Sequence, residues 1–305
     1  MGPFDHFLLT RFSAVLAPGA APASEEWLRY RLAFFVDAAH PSVAGQRGAA
    51  FTWLVLFDDR CPDTFRADVE ALAADGSFTP LWSHEPFRRD TFAAPVASRS
   101  AAPSLITTRL DSDDAIATDY LAAVQGQFRE QERLFISFTR GLQVDRSGAV
   151  YRCDQLSNPF LSLIERRLPG TPPLTVYAPK HARARTQGPL REVQAPPMWL
   201  QVVHDANVSN IITGTRVAPD VVARRFTIDL GYRRDVPLSR LLTEKALHRV
   251  GLARLWVAHP GELTRHVEAR YWRLRGTHTR PQDDAAPTLT DVVAARLRRL
   301  GVRRR

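Results

Sequence analysis

Cysteine is scarce in this chain. Two residues of 305, Cys61 and Cys153, carry thiols. That number cannot build the disulfide framework of a small secreted scaffold, and it offers no zinc-ligand spacing. A reducing cytoplasm fits best. Long apolar runs are missing too, since no stretch approaches the roughly 18 residues that would suggest a spanning helix. The segment from Met1 to His6 has no basic region followed by a long apolar one, so a secretory leader is not expected. Glycine is thin where a phosphate-cradling loop would need it. Ala17 to Ala23 holds only Gly19 and lacks the lysine expected after such a loop, which counts against a nucleotidyltransferase. Aromatic and basic residues are not interleaved in any recognised nucleic-acid-binding module, so a nucleic-acid partner is not expected.

What is present is ordinary for a soluble globular protein: 45% hydrophobic and 24% charged residues. The length suffices for a large core, in one domain with additions or in two. The formal net charge is +9, with a pI of about 10.3. A basic balance suits nucleic acid, anionic membrane or a phosphorylated substrate. Much of it lies in Arg296 to Arg305. That tail reads as a solvated helix end, or as a peripheral contact with anionic lipid at the inner face of a membrane.

The densest chemistry is Asp111-Ser112-Asp113-Asp114. It follows the apolar run Ser104 to Leu110 and precedes a helix-like segment, Asp119 to Arg133. Strand, clustered carboxylates, then helix presents a ligand at the carboxyl end of a strand. A calcium helix-loop-helix starting at Asp111 is excluded, because Ile116 and Ala122 stand where glycine and glutamate are required. One aspartate could serve as a helix cap. Three within four residues repel each other, which favours a cation partner. Hard divalent ions, Mg²⁺ or Mn²⁺, suit such oxygen ligands and bring a diphosphate with them.

The chain alternates. Phe7 to Phe12 reads as a strand, Pro18 to Ser24 as a loop, and Glu25 to Ala38 as a helix capped by Ser24. Phe51 to Phe57 is a continuous apolar strand ending in Asp58-Asp59, of the kind covered on both faces. Asp63 to Ala74 is a helix and Phe78 to Trp82 a short strand. This order implies a mostly parallel, doubly wound α/β sheet with flanking helices, whose ligands sit beyond the carboxyl ends of the strands. Thr10-Arg11, Asp58-Asp59 and the aspartate cluster would all converge there. The second half is less regular. Strands are expected at Leu134 to Phe138, Ala149 to Arg152, Thr175 to Tyr177 and Met198 to His204. A short helix is expected from Asn158 to Leu168, a mobile basic loop from Pro179 to Pro197, and helices at Leu238 to Val250, Gly261 to Arg275 and Thr288 to Leu300.

Taken in order, several segments resemble a known family. They are His6 to Phe12, Phe51 to Asp58, Thr107-Thr108-Arg109-Leu110-Asp111-Ser112-Asp113-Asp114, Asn158 to Ser162 with Glu165, and Trp199-Leu200-Gln201-Val202-Val203-His204 with Asn207. The chain is similar to bacterial rhamnosyltransferases, enzymes with the A-type glycosyltransferase fold. The resemblance covers roughly residues 4 to 215. It implies a domain over 1–215, with a nucleotide-sugar half at about 1–120 and an acceptor half at about 121–215. A helical C-terminal extension with a basic tail follows over 216–305.

The resemblance implies a metal-dependent, inverting transfer of a sugar from a dTDP- or UDP-activated donor to a glycan, lipid-linked or small-molecule acceptor. A divalent metal would neutralise the departing diphosphate. Asp113 is the expected direct ligand, with Asp111 on ribose or metal and Asp114 on metal or donor sugar. His204 would complete the metal shell or touch the diphosphate, or serve as a hydrogen-bonded structural residue. Asp58 would contact the base, and Thr10 and Arg11 would lie by base and phosphates. Arg109 would pair with phosphate or brace the acidic loop. Glu165 is the expected acceptor base, or else a surface neighbour of Arg166 and Arg167. Asn207 is ambiguous with a turn, Asp205 is held in reserve, and His181 is expected in solvent. The readings from other classes are a non-catalytic basic binding protein and a nucleotidyltransferase.

Overall fold

The computed structural model describes residues 2–156, 158–204, 212–232 and 235–283. The first strand, β1 (Phe4–Arg11), is buried along most of its length. Helix α1 (Glu25–Phe34) starts where the Ser24 hydroxyl accepts the Trp27 N–H at 3.2 Å, with Glu25 and Glu26 at its positive end. It widens into a single π turn at Phe35–Ala39, then closes as α2 (His40–Ala44), whose Pro41 lacks a backbone donor. There follow β2 (Thr52–Phe57), α3 (Asp63–Ala73), β3 (Thr79–Trp82), α4 (Ala93–Ala97) and β4 (Ser104–Arg109). The short β5 (Ala115–Ile116) and α5 (Tyr120–Gln125) lead to β6 (Arg133–Phe138), β7 (Arg140–Val144), β8 (Val150–Asp154) and β9 (Leu161–Arg166). A 3₁₀ turn at His181–Thr186 precedes β10 (Leu190–Val193), β11 (Trp199–Val202), β12 (Thr215–Arg216) and α6 (Asp220–Arg225). Helices α7 (Leu238–Ala258) and α8 (Pro260–Arg275) and strand β13 (His278–Arg280) complete the described chain.

The main sheet has the order β13-β10-β6-β9-β4-β1-β2-β3. Strands β3, β2, β1 and β4 run parallel, as do β6 and β10. Only β9 and β13 run against their neighbours. Alternate residues feed two apolar layers. Leu8, Val55, Ile106, Ile136 and Ile164 face one. Phe7, Leu9, Leu54, Leu105, Phe135 and Leu163 face the other. A smaller sheet has the order β12-β8-β7-β11-β5. Across the middle of the main sheet runs a buried polar chain. Gln125 Nε2 donates to His6 Nδ1 at 3.1 Å, His6 Nε2 lies 2.8 Å from Thr108 Oγ1, and that hydroxyl lies 2.8 Å from Ser162 Oγ. Burial lowers the His6 pKa to about 3, so the ring is a neutral tie between β1, β4 and β9.

Several expectations are corrected. Asn158 to Leu168 is not a helix: Leu161–Arg166 is β9, inserted antiparallel between β4 and β6. A short apolar run buried on both faces carries no period that separates strand from helix. Asn158 is accordingly no cap; its amide donates to the Phe138 carbonyl at 2.7 Å, and its Oδ1 accepts the Phe160 N–H. The helix expected from Asp119 to Arg133 ends at Gln125, before Gly126, and Arg133 already opens β6. Thr175 to Tyr177 is a turn, with Thr175 at φ 59°. The expected loop Pro179 to Pro197 holds the 3₁₀ turn and β10, a full member of the main sheet. Strand β7 was not anticipated at all. The final segment is not purely helical: β12 pairs with β8, and β13 extends the main sheet beyond β10. The helix and basic tail expected beyond residue 283 lie outside the described residues.

Only Thr139 separates β6 from β7, so the chain passes from one sheet to the other within a residue. Gly141 lies under Trp199, which stacks on Phe160 at 5.0 Å and donates its indole N–H to the Phe138 carbonyl at 2.8 Å. A Cβ at Gly141 would stand 2.0 Å from the Trp199 ring. Gly141→Ala is therefore expected to lose roughly 1–3 kcal/mol of stability in urea unfolding, as over-packed cores do; a loss within error of zero would contradict this packing.

Candidate functional site

Because β1, β2 and β4 are parallel and in register, their carboxyl ends share one edge. There Arg11, Asp58, Arg109, Asp111, Asp113 and Asp114 line a single cleft of about 1600 Å³. Strand β11 comes to the same edge: the Val202 N–H donates to Asp114 Oδ1 at 3.0 Å. This brings His204 behind the cluster.

Asp58, Asp111 and Asp113 are each met by an arginine. Arg109 grips Asp111 through Nε and Nη2 at 2.8 to 3.1 Å. Burial works against the Arg109 charge, but Asp111 outweighs it and holds the guanidinium pKa above its ordinary value. Arg11 approaches Asp111 at 4.0 Å. Both arginines lie over the Tyr177 ring, at 5.1 and 5.4 Å, and Arg11 also lies over Phe87. Asp113 Oδ2 accepts from Arg31 Nη1 at 2.7 Å and from His204 Nε2 at 2.9 Å. Burial alone would raise the Asp113 pKa; the bonds from His204 and Arg31 reverse the sign and hold it below its ordinary value. Asp114 goes the other way, raised well above the usual carboxylate range by burial and then by Asp113 and Asp111. Asp58 is held by Arg60 through Nε at 2.9 Å and Nη2 at 2.8 Å; its burial is outweighed and its pKa is lowered.

Other expected residues fall elsewhere. Thr10 is fully buried, its hydroxyl accepting the Trp53 indole N–H at 3.0 Å, so it supports the edge from inside without lining the cleft. His204, 2% exposed at its side chain, borders a separate cavity of about 250 Å³ and stacks on Phe34 at 4.2 Å. Its contact with the cluster is through Asp113. His181 was expected in solvent and instead lines the cleft, its pKa lowered by burial and by Arg109. Asp205 and Asn207 lie outside the described residues.

Glu165 is displaced furthest from expectation. It pairs in register with Leu105 and Arg133, near the amino ends of β4 and β6, on the edge opposite Asp111. Its oxygens accept the Leu174 and Thr175 N–H groups at 2.8 and 2.9 Å. The turn so held lets the Val176 N–H reach Thr107 Oγ1 at 2.9 Å and sets Tyr177 beneath Arg11 and Arg109. Glu165 therefore shapes the site from a distance.

Arg31, Arg60 and Tyr177 were not anticipated. Arg31 had a readable signal: it shares one helix face with Leu28 and Phe35, and an arginine on an inward stripe needs a buried acid. As for a metal, the described residues contain no group of three or more His, Cys, Asp or Glu side chains disposed to hold one. The donors at the edge are nonetheless hard oxygens, with Asp111 28% exposed. That suits an ion taking one or two carboxylates from protein and the rest from diphosphate and water.

A mostly parallel α/β sheet with acidic and basic side chains converging at its carboxyl edge is an architecture for nucleotide-linked substrates. The chain belongs to the putative rhamnosyl transferase family, which it matches over residues 8–216. Among solved structures it is similar to residues 1–349 of S. aureus TarS in complex with UDP-GlcNAc, at 13% identity and TM-score 0.35, covering 68% of this chain and 62% of that one. The same fragment with UDP gives 14% identity, TM-score 0.35, and coverage of 65% and 60%. HddC from Yersinia pseudotuberculosis, complexed with GMP-PN, gives 8% identity, TM-score 0.27, and coverage of 53% and 76%. The chain thus spans less than two thirds of the TarS structures. A search of curated proteins found no match.

Glu165→Gln replaces one acceptor oxygen with a donor facing a backbone N–H. The expected loss is roughly 1–3 kcal/mol of stability, with turnover well below the melting temperature kept within about threefold. A drop of about 10²–10⁴, the signature of a lost general base, would contradict this placement.

Proposed function

We propose that this chain is a metal-dependent glycosyltransferase that moves a sugar from a nucleoside diphosphate donor. The carrying observation is the convergence of Arg11, Asp58, Arg109, Asp111 and Asp113 in one cleft at the carboxyl edge of three parallel strands. Cleaving the sugar C1–O bond leaves two negative charges on the diphosphate. Arg11 and Arg109, stacked on Tyr177 and fixed before substrate arrives, are pre-oriented to meet that charge. Asp58, held rigid by Arg60 and by the Ser13 hydroxyl on its own N–H, presents an acceptor edge to a nucleobase or ribose. Asp111 and Asp113 are the residues that would hold Mn²⁺ or Mg²⁺, with His204 orienting Asp113 and Asp114 buried behind. The ion, when bound, would supply charge neutralisation for the leaving group.

The donor class is dTDP- or UDP-linked, and rhamnose is the sugar suggested by the family description. Inversion remains the proposed course. Its base would come from the acceptor side of the cleft. Glycan and lipid-linked acceptors both fit a wide cleft. No helix among the described residues is long and apolar enough to cross a membrane. A cytoplasmic enzyme touching anionic lipid through its basic tail is the arrangement we propose.

Asp113→Asn keeps the side-chain shape and removes its charge. Release of UDP or dTDP from the matching nucleotide sugar is expected to fall by at least about 10²-fold, the scale for a preorganised electrostatic group, with unchanged circular dichroism. EDTA is expected to silence the wild type and added Mn²⁺ to restore it. Full turnover by Asp113→Asn, or by wild type in EDTA, would overturn the respective assignment.

A further inference from the structure

The cleft is larger than a donor needs. At about 1600 Å³ it exceeds the roughly 300–1,000 Å³ of ordinary ligand pockets. Part of its wall is made by the 3₁₀ turn, the end of β8, helix α8 and the segment around β13, and that part is rich in arginine. Arg185, Arg273 and Arg280 brace the wall itself. Arg273 and Arg140 share Asp154, at 3.0 and 3.1 Å. Arg280 binds Glu192 at 2.6 Å and reaches Glu268 at 3.5 Å. Arg185 lies 3.7 Å from Asp283. The acids of the wall are thereby committed.

Arg152, Arg183 and Arg270 line the same cleft and are exposed, and none has an ion-pair partner among the described residues. The donor's diphosphate already has Arg11 and Arg109. Resting on the donor reading above, we infer that this wall is the acceptor subsite and that its ligand is an acceptor bearing phosphate or carboxylate groups close to the hydroxyl that receives the sugar. A cleft with surplus charge of one sign concentrates ligands of the other, and guanidinium matches both anions in bidentate fashion. The neighbouring His266 registers the same field: its pKa is lowered by burial first and, against the pull of Asp154, by Arg270 and Arg273.

The test uses the full chain and two probes at constant ionic strength, inorganic tetrapolyphosphate and tetragalacturonate. Each is titrated calorimetrically without nucleotide and again after saturation with UDP. At least one is expected to bind the UDP-loaded protein with a Kd below about 1 mM. Replacing Arg152, Arg183 and Arg270 together by Gln is expected to weaken that binding at least about tenfold, one bidentate anion contact or more, while UDP affinity stays within about twofold. Which probe binds tells phosphate from carboxylate. Absence of binding by both, equal binding by the triple variant, or loss of binding once UDP is present would overturn the acceptor subsite, the last by placing the anion on Arg11 and Arg109. If UDP itself does not bind, the donor reading fails, and the titrations without nucleotide still report on the wall.

Discussion

Three carboxylates within four residues of one strand end repel one another, and much of the surrounding structure can be traced to neutralising them. Asp111 is met by Arg109 from its own strand and by Arg11 from the adjacent one. Asp113 is met by Arg31 from the first helix and by His204 from beyond the late strand β11. Asp114 is buried against a backbone N–H and pushed toward its neutral form. Three distant segments, the end of β1, helix α1 and the stretch after β11, therefore meet the cluster at one edge through ion pairs and hydrogen bonds, and the parallel strands supply the rigid frame that fixes where the edge lies. Under the proposed function, a site built in this way would be preorganised for a metal-bridged diphosphate, because Arg11 and Arg109 are already held in place at the edge by Asp111 and Tyr177.

The first half of this arrangement was legible in the sequence. Continuous apolar runs such as Phe51 to Phe57, alternating with amphipathic segments such as Asp63 to Ala74, admit few topologies, and right-handed parallel crossovers then place their carboxyl ends together. Asp58 and the aspartate cluster could be read as neighbours without knowing any distance. The second half was not legible, for physical reasons. Strands β7 and β10 are five and four residues long, too short to show a period, and β9 is buried on both faces and so lacks a clear alternation. Glu165 was misplaced with its helix: once Leu161–Arg166 is a strand, its antiparallel direction carries Glu165 to the far edge. Thr10 illustrates a parity error of one residue. On a strand whose successive side chains alternate, Arg11 meets the cleft and Thr10 meets the core.

That displacement gives Glu165 a structural part. By holding the backbone of Leu174 and Thr175, it sets Tyr177 as the floor on which Arg11 and Arg109 lie. The C-terminal segment plays a comparable part on the other side. Helix α8 and strand β13 close the cleft with arginines, tied to Asp154 of β8 and Glu192 of β10. Part of the chain's basic charge thus has a structural address inside the cleft.

The most direct test of the central claim is calorimetric titration of UDP, dTDP, GDP and inorganic phosphate into the wild-type chain and into Arg109→Met. The account predicts that one nucleoside diphosphate binds the wild type, that Mn²⁺ tightens it, and that Arg109→Met weakens it by roughly 1.5–3 kcal/mol, the scale of a charge-assisted hydrogen bond. Equal affinity in the two proteins, or no nucleotide bound with or without Mn²⁺, would contradict it.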